Sequence, residues 1–241
     1  VFNEWLCLKF MKELGFNVAK ADIVTFANHP PVLVVERFDR KEHSSGKWLL
    51  RLPKEDFCQA LGISPHRKYE ADKGPRIEQL AQVLSASQNA RADLRTLLDS
   101  QVAFWLLAAT DGHAKNFSIH LYARGSYALT PMYDVLSAWP IIGNGKYQLA
   151  WRDAKLAMSV SGKNRHYALA TIMRSRFNST AAKCGWGADA EDIINELLEK
   201  VEPAIAAVEN LLPASFPEDV ATSILAGIRL QAQKLKNQPS S

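Results

Sequence analysis

The sequence has no apolar run long enough to cross a membrane, and it does not open with basic residues followed by an apolar segment. A membrane-spanning helix needs about 20 consecutive apolar residues, and a secretory leader needs its own short apolar segment. Since neither pattern is present, we expect a cytoplasmic protein with no membrane partner.

Cysteine is scarce, and its positions 7, 58 and 184 are far apart, with no Cys-X-X-Cys pair. Zinc sites and disulfide frameworks usually require cysteines in pairs at short spacing. The pattern therefore argues against both, and we expect reduced, structural thiols.

The remaining composition is that of a globular protein. Hydrophobic residues make up 47% and charged residues 22% of 241 residues, which suffices for one large or two small domains with a core. The net charge of +4 permits contact with nucleic acid but does not require it.

Apolar spacing predicts a mostly helical chain with a few short strands. Longer helices are expected at residues 2–14, 77–84, 94–106, 188–208 and 220–235, with Pro203 disturbing the fourth. Short helices are expected at 53–61 and from about 167, and strands at 21–26, 32–38, 118–122 and 127–129. Because the first helix begins almost at Val1, we expect the chain to be a fragment or to lack its start.

A polar loop follows the buried helix that ends near Ala109. It carries Asp111, His113, Lys115 and Asn116, and a predicted hairpin then leads to Asp134. Asp111 and Asn116 are five positions apart, which is the interval between the catalytic Asp and the metal-binding Asn of protein kinases. The spacing suggests that Asp111 accepts a hydroxyl proton while Asn116 and Asp134 bind magnesium.

Other interpretations of this loop remain open. Asp, Gly, His and Asn are also ordinary turn residues, and a pair of carboxylates around magnesium can serve a phosphohydrolase instead. His113 is more consistent with a hydrogen-bonding brace than with a zinc ligand, since no other His or Cys stands at useful spacing. Lys115 could neutralise a transferred phosphoryl group or simply be solvated.

Four segments together resemble the HipA family, the serine/threonine kinase toxins of bacterial type II toxin–antitoxin systems. They occur in the family's order, and the similarity covers essentially the whole chain. The segments are Val35-Glu-Arg-Phe-Asp-Arg40, Arg51-Leu-Pro-Lys-Glu-Asp-Phe-Cys-Gln59, Asp111-Gly-His-Ala-Lys-Asn-Phe-Ser118 and Leu129-Thr-Pro-Met-Tyr-Asp134. The resemblance implies an α+β, mostly helical fold. Residues 1–38 would be a remnant of the small kinase lobe and 39–241 a kinase-like large lobe.

The same resemblance implies ligands and partners. ATP and Mg²⁺ would be bound, with Glu36 and Phe38 at the hinge against the adenine and His113 beside the nucleotide. The expected partners are a HipB-like helix-turn-helix antitoxin, operator DNA through that complex, and a protein substrate such as glutamyl-tRNA synthetase, whose phosphorylation arrests growth or gives persistence. Lys163 and Arg165 are candidates for phosphate contacts with the DNA, although a solvated loop explains them as well.

Two parts that a protein kinase needs are missing ahead of Asp111. There is no Gly-X-Gly-X-X-Gly loop, and no strand lysine precedes the first helix to pair with Glu4. The alternative is therefore a non-catalytic lobe that docks onto antitoxin and DNA.

Overall fold

The computed structural model describes residues 1–240. The helices are α1 (Phe2–Glu13), α2 (Phe57–Ala60), α3 (Ile77–Leu84), α4 (Ala90–Leu107), α5 (Arg174–Lys183), α6 (Glu191–Leu211) and α7 (Glu218–Lys236). The strands are β1 (Ala21–Val24), β2 (Val32–Val35), β3 (Arg40–Glu42), β4 (Leu49–Arg51), β5 (Lys54–Asp56), β6 (Ser118–Leu121), β7 (Tyr127–Leu129), β8 (Lys155–Ser161) and β9 (Arg165–Ala168). This is the predicted α+β, mostly helical fold. No helix in residues 1–240 has the length and apolar character required to span a membrane.

Helix α4 is the centre of the core. It packs against α3, α5, α6 and α7, and α1 packs against α6 and α7. Its last turns are apolar all round, and the Trp105 side chain is fully buried, with its indole Nε1 donating to the Leu169 carbonyl at 3.0 Å. The predicted buried strut is confirmed. The proposed lobe boundary after residue 38 stays a prediction, since α1 shares one apolar core with the later helices.

One prediction was wrong at residues 54–56, which form a strand where a short helix was expected. Strand β5 pairs antiparallel with β6, with Lys54 opposite His120 and Asp56 opposite Ser118. The backbone hydrogen bonds of this pairing override the local helical pattern. Asp56 then caps α2, since its carboxylate accepts from the Gln59 amide at 3.0 Å and the Gln59 side chain accepts from the Asp56 amide at 3.0 Å.

Two further helix predictions were wrong in detail. No helix begins near Tyr167, because residues 165–168 form β9 and pair with β8, and α5 starts only at Arg174. Helix α6 runs through Pro203 to Leu211. Burial of Val201, Ile205 and Val208 on one face of α6 offsets the backbone hydrogen bond that proline cannot make.

The sheet β5–β6–β7 connects the polar loop after α4 with the segment that contains Asp134. Strands β6 and β7 form the predicted hairpin, with Ile119 opposite Leu129 and Leu121 opposite Tyr127. The hairpin starts directly after the polar loop at the end of α4, and its second strand leads directly to Asp134. The two polar segments of the sequence are therefore joined by one short antiparallel pair.

Candidate active site

The polar loop begins where α4 ends at a strained residue. Ala108 closes the helix in the left-handed region, at φ 50°, which costs energy for any residue with a Cβ. Gly112 then passes over the Phe104 ring so closely that a Cβ would lie 2.5 Å from two ring carbons. A buried helix and a close backbone approach thus fix the loop that presents Asp111.

Asp111 presents its side chain to solvent and to one tyrosine. The carboxylate is about half exposed, and its Oδ1 accepts a hydrogen bond from the Tyr69 hydroxyl, 42 residues earlier. That hydrogen bond is the main reason why the pKa of Tyr69 rises to about 12, with burial adding to the effect. Tyr69 therefore keeps its proton at neutral pH and acts as a donor to Asp111.

His113 is buried, and neither ring nitrogen has a hydrogen-bond partner among residues 1–240. Its Nε2 lies 3.8 Å from the Asp111 Oδ1, too far for a hydrogen bond. Burial lowers the pKa of the imidazole, although the charges of Asp111 and Asp134 oppose this. A neutral, unsatisfied imidazole between two carboxylates is suited to hydrogen-bond a ligand.

Asn116 and Asp134 are in direct contact. The Asn116 Nδ2 donates to the Asp134 carboxylate at 2.9 Å and to its backbone oxygen at 3.0 Å. The Asn116 Oδ1 is buried and has no hydrogen-bond partner within the described chain. Asp134 itself is exposed and adopts the left-handed conformation, at φ 57°, which is a strain typical of functional sites.

These two side chains fit a magnesium ion. The Asn116 Nδ2 faces the Asp134 carboxylate, so the amide has to turn over for Oδ1 to lie beside that carboxylate. The two groups then offer the hard oxygen donors that Mg²⁺ prefers. Residues 1–240 contain no group of three or more His, Cys, Asp and Glu side chains able to hold a metal. Magnesium in phosphoryl-transfer sites commonly takes few protein ligands and completes its shell with phosphates and water. Two protein ligands, Asn116 and Asp134, are therefore enough for such a site.

The segment around Asp134 is anchored on both sides. The Asn3 side chain of α1 exchanges two hydrogen bonds with the Ser137 backbone, each 2.8 Å long. The Ser137 hydroxyl donates to the Leu107 carbonyl at the end of α4, at 2.6 Å. Upstream, the Met132 amide donates to the Asn17 carbonyl at 2.8 Å. Helices α1 and α4 therefore both determine where Asp134 lies.

Glu4 of α1 adds a carboxyl group to this region. Burial raises its pKa, and the negative charge of Asp134 raises it further. Among residues 1–240 no lysine forms an ion pair with Glu4. The region around Asp134 is thus rich in negative charge.

Lys115, unlike Glu4, forms an ion pair with a neighbouring carboxylate. Its Nζ lies 2.6 Å from Asp56 Oδ2, and the ammonium is about one third exposed. The Lys115 carbonyl accepts from the Tyr133 hydroxyl at 2.7 Å. The lysine therefore ties the loop to the start of α2, and it is not a free cation beside Asp111.

The residues that the resemblance puts at a hinge, Glu36 and Phe38, lie on the other side of Tyr133. The Phe38 ring is half-buried, with its centroid 5.6 Å from that of Tyr133, and the Lys54 ammonium lies over both rings at 5.7 and 5.3 Å. Glu36 is exposed, and its carboxylate is 3.1 Å from the Lys20 ammonium. Phe38 is thus brought next to the residue before Asp134, whereas Glu36 is engaged at the sheet edge.

Lys163 and Arg165 do not present a joint basic surface. Arg165 Nη1 lies 2.9 Å from both carboxylate oxygens of Glu78, so its charge is already neutralised. Lys163 is exposed in the turn between β8 and β9, and within residues 1–240 no carboxylate forms an ion pair with it. Of the two, Lys163 is the residue free to meet a phosphate.

Sequence reasoning missed Tyr69 and Asp56. Tyr69 lies in a stretch with no apolar period, and nothing in its spacing relates it to Asp111. Asp56 could have been found from the Asp-X-X-Gln signature of a capping box, although its pairing with Lys115 could not.

Comparison with known proteins places this site in context. Residues 1–205 match the model of the HipA-like C-terminal domain. The serine/threonine-protein kinase toxin HipA of Shewanella oneidensis is 33% identical over 148 residues, which cover 57% of this chain and 34% of that protein. The matched part thus spans about a third of the length of the curated relatives.

Two solved structures are similar in fold. The complex of Shewanella oneidensis HipA with HipB and operator DNA matches with a TM-score of 0.79 and 26% identity, covering 98% of this chain and 57% of that chain. The Helicobacter pylori proinflammatory kinase CtkA matches with a TM-score of 0.60 and 12% identity, covering 97% of this chain and 80% of that chain, which shows a shared fold alone. Because the family model matches well over half of its residues, the chain belongs to the family of HipA-like C-terminal domains.

Proposed function

We propose that this chain is the large lobe of a serine/threonine protein kinase toxin that transfers the γ-phosphate of ATP to a protein hydroxyl. The observation that carries the proposal is the contact between the Asn116 amide and the Asp134 carboxylate, next to the loop that presents Asp111. The Asn116 Oδ1 is buried and has no hydrogen-bond partner among the residues described. Phosphoryl transfer requires mainly positioning and charge neutralisation, and these are what such a pair and a nearby carboxylate supply.

Asp111 is the candidate general base. Its exposed carboxylate would accept the proton of the acceptor hydroxyl as the new O–P bond forms and the bond to ADP breaks. With the Asn116 amide turned over, its Oδ1 and the Asp134 carboxylate would hold Mg²⁺. When bound, the metal would neutralise negative charge on the phosphates. Lys115 would support the loop through Asp56, in place of the direct phosphoryl contact that its sequence position suggested.

Phe38 and His113 are the candidate nucleotide contacts. The Phe38 ring, beside Tyr133, offers an aromatic face on which an adenine could pack. The His113 imidazole, whose pKa is lowered by burial and whose nitrogens have no partner in the described part of the chain, could accept or donate one hydrogen bond to the nucleotide. Glu36 would serve the hinge through its backbone, since its side chain is engaged with Lys20.

The partners follow from the family. The Shewanella oneidensis structure contains HipA with HipB and operator DNA, and we propose a HipB-like antitoxin and operator DNA as partners of the natural protein here. Lys163, exposed in the β8–β9 turn, is the better candidate for a phosphate contact. A translation protein such as glutamyl-tRNA synthetase remains the proposed substrate.

A non-catalytic docking lobe is the second candidate function. It is favoured by Glu4, whose carboxyl lies in the field of Asp134 without a lysine partner in residues 1–240. A kinase uses such a lysine to hold the phosphates. If the lobe only docks, it would bind antitoxin and DNA without binding nucleotide.

Calorimetric titration separates the two functions. We expect the chain to bind ATP only when Mg²⁺ is present, and we expect Asp134→Ala to abolish this binding while Asp153→Ala, at an exposed carboxylate, leaves it unchanged. A folded chain that binds no ATP but binds antitoxin or operator DNA would favour the docking lobe instead.

The base is tested in the natural full-length protein. Asp111→Asn should retain Mg²⁺–ATP binding but reduce phosphoryl transfer by about 10²- to 10⁴-fold, the usual contribution of a general base. Unchanged transfer would refute the role of Asp111.

A further inference from the structure

The contact between Tyr69 and Asp111 joins two distant parts of the chain at the candidate base. The Tyr69 hydroxyl donates to Oδ1 of Asp111, and the side chain of Asp111 remains about half exposed. A carboxylate has two oxygens that can each accept a hydrogen bond. With Oδ1 engaged, Oδ2 is the oxygen left to meet an acceptor hydroxyl.

Tyr69 is held from its backbone. Its carbonyl oxygen accepts from the Asp72 amide at 3.0 Å and from the Gly74 amide at 2.9 Å. Gly74 is so close to this turn that a Cβ would lie 2.2 Å from the Arg67 carbonyl oxygen and 2.5 Å from that of Tyr69. The turn that carries Tyr69 is therefore tightly closed.

The next residue, Glu70, fastens this turn to the large lobe. Its side chain is 2% exposed and accepts from the Ser159 amide at 2.8 Å and from the Ser159 hydroxyl at 2.9 Å. The Arg165 guanidinium lies 3.6 Å away. A buried carboxylate with charge-assisted hydrogen bonds is a strong anchor, and it leaves little freedom for the adjacent Tyr69.

The Tyr69 ring is confined as well. It packs edge-on against the His113 ring, with centroids 5.1 Å apart, and the Lys68 ammonium lies 4.9 Å from its centroid. Tyr69 is held by its backbone, by the Glu70 anchor, by the His113 ring and by the Lys68 ammonium. Its side chain would have to break several contacts to leave Asp111.

We propose that Tyr69 is a positioning residue of the phosphoryl-transfer reaction, which orients the Asp111 carboxylate so that its Oδ2 faces the acceptor hydroxyl. The proposal rests on the kinase function proposed above. Tyr69 takes no proton and forms no bond in the reaction, and its high pKa keeps it a donor throughout. Preorganised geometry of this kind is what a supporting group contributes to catalysis.

The contact itself can be measured without any activity. In the chain labelled with ¹³Cζ-tyrosine, the NMR resonance that disappears in Tyr69→Phe is that of Tyr69. We expect this resonance to shift in Asp111→Asn, because the charged acceptor of the hydroxyl is lost, while the other tyrosine resonances stay in place. An unchanged Tyr69 resonance would overturn the proposal, whatever the protein's activity.

The kinetic role is tested in the natural full-length protein, by ADP formation from Mg²⁺–ATP with dephosphorylated casein as acceptor. Tyr69→Phe keeps the ring and removes the hydroxyl, so we expect kcat to fall about tenfold with the KM for ATP unchanged, since loss of orientation costs rate rather than binding. Tyr122→Phe, at an exposed tyrosine of the neighbouring hairpin, is the matched control and should keep full activity.

The outcomes are distinguishable. An unchanged or increased kcat in Tyr69→Phe would overturn the positioning role while leaving the kinase function intact. If the unmodified protein forms no ADP although the Tyr69 resonance responds to Asp111→Asn, the kinase function itself has failed, and the catalytic assignment of Tyr69 falls with it.

Discussion

Replacing Glu70 by alanine is the sharpest test of how this site is supported. Glu70 lies in the turn that carries Tyr69, and its carboxylate is buried against β8. It accepts hydrogen bonds from both the amide and the hydroxyl of Ser159, a residue with no exposed surface. Alanine would leave these two buried donors without their acceptor.

The cost can be worked out from these contacts. A hydrogen bond to a charged group contributes about 1.5–3 kcal/mol, so the two bonds together account for about 3–6 kcal/mol. Part of this is offset because the mutant no longer has to bury a carboxylate, and Arg165 keeps its ion pair with Glu78 at 2.9 Å. We therefore expect Glu70→Ala to lower the free energy of unfolding by about 3 kcal/mol. Glu70→Gln keeps an acceptor oxygen and should cost about 1 kcal/mol.

Urea unfolding of the chain, followed by far-ultraviolet circular dichroism, measures these differences. Glu202→Ala is the matched control, because the Glu202 side chain is 65% exposed and its ion pair within residues 1–240 is with Arg229 at the surface; its effect should stay within about 0.5 kcal/mol. A Glu70→Ala variant as stable as this control would refute the anchor, and with it the account of why Tyr69 is fixed.

Two other substitutions test the ion pairs of Arg174 and Asp39. Arg174 is buried, and its guanidinium donates to the carboxylate of Glu191 and to the side-chain oxygen of Asn195. Arg174→Met should therefore lower the free energy of unfolding by about 3 kcal/mol in the same urea assay. A loss below about 1 kcal/mol would contradict this role of Arg174. The hydrogen bond from Arg37 lowers the pKa of Asp39 to about 2, so the stabilisation it gives is complete above about pH 4 and is lost as the pH falls through about 2. Asp39→Asn should therefore cost about 1–2 kcal/mol at pH 7 and much less at pH 2.5, and an equal loss at both pH values would show that the charge is not responsible.

The sequence was a good guide where one periodicity acts alone. Helix α4 and the β6–β7 hairpin followed directly from apolar spacing and from the turn that contains Gly125. Both elements bury one continuous apolar surface, so local pattern and tertiary packing favour the same structure. These two elements also position the polar loop, which is why its general location was predictable.

The failed predictions have different causes. Residues 54–56 have a local helical pattern, yet they become a strand because the distant strand β6 offers backbone hydrogen bonds. Pairing between remote segments leaves no trace in local spacing. Residues 165–168 instead pair with β8, their neighbour across a short turn. Helix α6 passes through Pro203 because its buried face holds it on either side.

The contacts of the candidate site were also predictable only where they are local in the sequence. Asn116 and Asp134 belong to the two ends of one short hairpin, so reasoning from the sequence could place them close together, and their side chains are in contact. Tyr69 reaches Asp111 only because Glu70 is anchored on β8, almost 90 positions further along the chain. A contact that depends on a second long-range contact cannot be read from composition or spacing.

The balance of charge around the site gives a reason why nucleotide binding should need a cation. Asp111, Asp134 and Glu4 bring three carboxyl groups to this region, and the negative field of Asp134 already raises the pKa of Glu4. Lys115 is paired with a carboxylate of the fold, and Lys68 offsets only part of the charge felt at the loop. The phosphates of ATP would therefore meet net negative charge, which opposes binding. A divalent cation held by Asp134 reverses the sign of that interaction, which is why we expect ATP binding to require both magnesium and this carboxylate.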